Sequence, residues 1–72
     1  MKTIYHSVVD ALVALYSKRM PEMVPFIRRA VRRNGTMDRS LDSFLAALLV
    51  VTPKHYASEY VEISNQVEGM RK

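Results

Sequence analysis

Eight consecutive residues, Phe44-Leu45-Ala46-Ala47-Leu48-Leu49-Val50-Val51, carry no polar side chain. No other feature constrains the fold as much. A spanning helix needs about 20 apolar residues, so this octet must be covered by protein instead. Helical periodicity on both sides makes it a helix ending at Thr52, apolar all round and therefore surrounded. A buried strand is the competing reading, because Val50-Val51-Thr52 is β-branched. The chain has 72 residues and no cysteine. At that length folding hides only about 60% of the unfolded surface. With disulfides excluded and nothing resembling a zinc cluster, oligomerisation is the stabilising device left. Three further helices can hardly wrap the octet, so Phe44, Leu45, Leu48 and Leu49 are expected to form the core of a homodimer.

The remaining segments also repeat at helical spacing. In residues 3–20, Ile4, Val8, Ala11, Leu12 and Leu15 form a stripe that Tyr5, Val9, Val13 and Tyr16 widen past half the circumference. Such a helix touches more than one neighbour. A second helix opens after Met20-Pro21, since the residue before proline is driven out of the α region, and Pro25 suits an opening turn. Met23, Val24, Phe26, Ile27, Ala30 and Val31 face one way, and Arg28, Arg29, Arg32 and Arg33 the other. Asn34-Gly35 closes it. Thr36, Asp38 and Ser40 all qualify as cap of the third helix. Thr52-Pro53 is a start signal for the fourth, threonine capping and proline at the first helical position. There Tyr56, Tyr60, Ile63, Val67 and Met70 form a narrow packing seam flanked by Glu59, Glu62 and Glu68. The expected fold is one all-α domain over residues 1–72, about four short helices assembled as a homodimer.

The formal charge of +4 is unevenly placed. Lys18, Arg19, Arg28, Arg29, Arg32, Arg33 and Arg39 crowd one segment against only Glu22 and Asp38, whereas the last helix is acidic. Arg28/Arg32 and Arg29/Arg33 are like-charge pairs one turn apart, each costing a few tenths of a kcal/mol, roughly. A solvated face at a helix C-terminus, favoured by the macrodipole, is one explanation. The other is docking of carboxylates or phosphates by Arg28, Arg29, Arg32, Arg33 and Arg39. Arginine at every position favours contact, because its planar fork suits bidentate pairing while lysine would solvate as well.

Chemistry-bearing constellations are missing. His6 and His55 lie on different helices, no thiol exists, and no phosphate loop, His-Glu-x-x-His or calcium loop occurs. Ser40 and Ser43 flank Asp42 as helix-start residues with no base in range. Neither catalysis, a metal, a cofactor nor a small-molecule substrate is expected. Asp10 interrupts the first apolar stretch where a leader needs an unbroken one, so a cytoplasmic chain without membrane attachment is expected.

Residues 46–60 resemble the helix-turn-helix of repressor-type DNA-binding proteins. Ala46, Leu49, Val51, Thr52-Pro53 and Tyr56 take the places of that motif's small residue, apolar pair and recognition-helix start. The resemblance implies Lys54, His55, Ser58 and Glu59 near bases. Val50 replaces the turn glycine, and the recognition helix would be acidic, which repels DNA. Arg19-Met20-Pro21-Glu22 and Asn34-Gly35 are more faintly similar to the ribbon-helix-helix family, although a helical period precedes Pro21 where that family has a strand. The function expected first is a small basic regulatory protein that inhibits or modulates a partner protein, of the kind phages and mobile elements encode. The alternative is a DNA-binding transcriptional regulator with a degenerate helix-turn-helix at 43–61, contacting DNA through Lys54, His55 and Ser58.

Overall fold

The computed structural model describes residues 4–34 and 40–71, and no strand occurs among them. Four helices follow in order: α1, Ile4–Arg19; α2, Val24–Asn34; α3, Leu41–Val51; and α4, Ala57–Arg71. Single 3₁₀ turns at Pro21–Met23 and Lys54–Tyr56 introduce α2 and α4.

Local chemistry sets each boundary. Met20, ahead of Pro21, leaves the helical region at φ −154°, as the proline ring requires. Its N–H still closes the last turn of α1 onto the Tyr16 carbonyl at 2.9 Å. Helix α2 ends at Asn34; Gly35, Thr36, Asp38 and Arg39 lie outside the described residues. Of the three cap candidates, Ser40 takes the position, its Oγ accepting from the Ser43 N–H at 3.1 Å. The Thr52-Pro53 expectation is corrected. Thr52 ends α3, its N–H donating to the Leu48 carbonyl at 2.9 Å. Pro53 precedes the 3₁₀ turn, and α4 begins at Ala57.

Each helix contributes an apolar stripe to one core. Tyr5, Val8, Leu12 and Tyr16 come from α1; Ile27 and Ala30 from α2; Leu41, Phe44, Leu45, Ala47 and Leu48 from α3; Ile63 and Val67 from α4. Met23, in the first 3₁₀ turn, joins them. The packing of α2 on α3 is the most extensive. Tyr5 meets Phe44 edge-on at 6.1 Å between ring centres, tying α1 to α3. Tyr60 crosses from α4 and donates its hydroxyl to the Leu45 carbonyl at 3.2 Å.

This core covers only one side of the octet. Phe44, Leu45 and Leu48 are covered by the chain's own helices, while Ala46, Leu49 and Val50 face outward, Leu49 at 59% and Val50 at 63% exposure. The octet is amphipathic in position though not in composition. The surface of 4741 Å² is close to the about 4,600 Å² typical of a compact monomer of this mass. Of the four residues expected in a dimer core, Phe44, Leu45 and Leu48 are already covered within the chain, and Leu49 is left at its surface.

Candidate functional site: the arginine helix and its grooves

With Met23, Ile27 and Ala30 turned inward, the helical period puts Arg28, Arg29, Arg32 and Arg33 outside, and all four are exposed. Among the described residues, no carboxylate pairs with any of them; the ion pair seen joins Arg19 to Glu62 at 2.9 Å. Two of the four cations, Arg32 and Arg33, fall in the last turn of α2, where the macrodipole offsets part of their mutual repulsion.

The arginines do not form a single patch. Arg28 and Arg32 border a groove of about 380 Å³ between α1 and α2, together with Val9, Val13, Ile27 and Val31, and Asp10 stands among its lining residues. Arg33 instead borders a shallower depression of about 260 Å³ with Asn34, Ser43, Ala46, Ala47 and Val50, beside α3. Helix α2 thus presents cations toward two different grooves, each lined by both polar and apolar residues. Sequence periodicity placed the arginines correctly but treated them as one face. Val9 and Val13 were the missed participants, and their signal was the unusually wide apolar sector of α1.

A third surface joins α3 to α4. Leu49, Thr52, Pro53, Lys54, Ala57, Tyr60 and Val61 line a cleft of about 610 Å³. Among the described residues, Val61, 55% exposed, joins Leu49 and Val50 as the large aliphatics most open to solvent. Lys54, His55 and Ser58 are exposed at this end of α4, and the His55 ring lies 4.3 Å from that of Tyr56. Ala46 and Leu49, which the helix-turn-helix resemblance makes packing positions, face solvent instead. Among the described residues no group of three or more His, Cys, Asp or Glu is placed to hold a metal ion. Nor is any helix long and apolar enough to cross a membrane.

Near the end of α1, Glu62 of α4 accepts from the Tyr16 hydroxyl at 2.5 Å and pairs with Arg19. Burial first, then the hydrogen bond and charge of Glu62, push the Tyr16 phenol well above its ordinary value. Tyr56 donates more loosely to Glu22 at 3.4 Å, and its phenol is also raised, by desolvation and then by the Glu22 charge. Glu62 is thus a tie between helices and not merely the flank of a seam. Compared with protein-family models, curated proteins and solved structures, the chain matches none significantly.

Proposed function

We propose that this chain is a non-catalytic regulatory protein that docks an acidic surface of another protein through the arginines of α2. The observation that carries this reading is the outward display of Arg28, Arg29, Arg32 and Arg33, with no carboxylate of the described residues neutralising them. Four like charges on eleven residues oppose their own helix, and a carboxylate-bearing partner would relieve that repulsion. Bidentate arginine–carboxylate contacts supply specificity at such a surface. Self-association belongs to the same proposal, with the α3–α4 cleft meeting a second copy. Leu49 and Val61 offer aliphatic surface there, and Lys54 is the single charge among the lining residues. Inhibition or modulation of the bound protein is the regulatory outcome proposed, as for small phage or mobile-element regulators.

The test is affinity capture from lysate, with and without nuclease, by wild type and by Arg28→Glu/Arg32→Glu. A protein retained by wild type after nuclease and lost by the variant supports the reading. Equal retention by both contradicts it. A second reading, DNA binding, draws on the shared exposure of Lys54, His55 and Ser58. It predicts retention that nuclease abolishes and affinity that falls steeply with salt.

A further inference from the structure

The groove between α1 and α2 combines two features that the arginine face alone lacks. Its lining holds four aliphatic side chains, Val9, Val13, Ile27 and Val31, of which Ile27 is fully buried and the valines half-buried. Cationic Arg28 and Arg32, one turn apart on α2, share it with Asp10 of α1. Val9 and Val13 are likewise one turn apart, so the groove repeats along the helices at a pitch of about 5.4 Å. Its volume of about 380 Å³ suits a few inserted aliphatic side chains, not a folded domain.

We infer that this groove seats an acidic amphipathic helix of the partner, its aliphatic residues against Val9, Val13 and Val31 and its carboxylates against Arg28 and Arg32. The inference rests on the proposed function and adds the form in which the partner presents its charge. Charge complementarity selects the occupant. Arg28 and Arg32 call for anions, and their one-turn spacing matches carboxylates spaced i, i+4 on a facing helix. The aliphatic residues of the lining argue against a phosphate polymer, because phosphates and sugars gain nothing from them.

The experiment measures fluorescence anisotropy of the full chain with a labelled, stapled amphipathic peptide that has leucines on one stripe and glutamates beside them. Three companions complete it: leucines changed to serine, glutamates changed to lysine, and a short DNA duplex. The expected result is micromolar binding of the first peptide, weakened roughly tenfold or more in the serine version. Arg28→Glu/Arg32→Glu should lose the glutamate peptide to a similar degree, roughly tenfold, and gain the lysine version. Both arginines are exposed, so this variant stays folded, and the gained lysine peptide reports that directly. Equal binding of the leucine and serine peptides would overturn the groove while leaving charge-based docking in place. Failure of every acidic peptide to bind would overturn both readings, as would preference of the wild type for the duplex.

Discussion

Removing the carboxylate of Glu62 should destabilise the protein more than its place on the surface of α4 suggests. Its Oε1 accepts from Tyr16, a hydroxyl on a side chain only 1% exposed, and its Oε2 pairs with Arg19, whose side chain is 55% exposed. In Glu62→Ala the Tyr16 hydroxyl is left in the interior with no acceptor, which costs about 1–3 kcal/mol. Tyr16→Phe removes donor and need together, and Glu62, 36% exposed, can turn to water, so a smaller loss of about 1 kcal/mol follows. Arg19→Ala breaks a largely solvated pair and should cost about 0.5 kcal/mol or less. The measurement is a double-mutant cycle of urea denaturation followed by far-ultraviolet circular dichroism. Coupling between Tyr16 and Glu62 should reach about 1–2 kcal/mol, well above that between Arg19 and Glu62. Strict additivity of Tyr16→Phe and Glu62→Ala would refute the reasoning. The pH dependence gives an independent check. The folded phenol lies above its unfolded value of about 10, so its contribution is fully present below that pH. It is lost as pH rises toward the folded value, at up to about 1.4 kcal/mol per pH unit. Tyr16→Phe should flatten that alkaline decline.

Three further outcomes follow from the same packing. Ile63 is fully buried in α4, so Ile63→Ala should cost about 2–5 kcal/mol and lower the urea midpoint at unchanged slope. Gly69 lies within α4, and a Cβ there meets nothing within 4 Å. Gly69→Ala should accordingly raise stability by about 0.5–1 kcal/mol, less if the last turn frays; a loss on thermal melting would contradict the geometry. Arg28→Glu/Arg32→Glu alters exposed side chains only, and its melting curve should shift by about 1 kcal/mol or less; unfolding would show that these arginines stabilise the helix and are not free for a partner.

Much of the helical order was legible because local signals are sufficient for it. Pro21 ends α1 and Ser40 caps α3 through contacts within a few residues. The seam residues Ile63 and Val67 were also readable, since period alone places them on one side. What failed was long-range. Thr52-Pro53 satisfies the local rule for a helix start, yet the Thr52 N–H completes α3, and a 3₁₀ turn carries the chain three residues further before α4. The octet could not reveal which of its sides the other helices would cover. Ala30 of α2 and Ala47 of α3 are both buried small residues, and the intimate contact of these two helices hides Phe44 and Leu48 without a second chain. Glu62 read as a solvated flank because its partner, Tyr16, is 46 residues away. Likewise, spacing identified the arginines but not the valines of α1 that share a groove with two of them.

The most direct test of the account is a nuclear magnetic resonance titration of the labelled full chain with the acidic amphipathic peptide and, separately, with duplex DNA. The account predicts that the peptide perturbs the methyl groups of Val9, Val13 and Val31 and the guanidinium signals of Arg28 and Arg32, and that DNA leaves them unmoved. Perturbations confined to Lys54, His55 and Ser58, produced by DNA and not by the peptide, would contradict it.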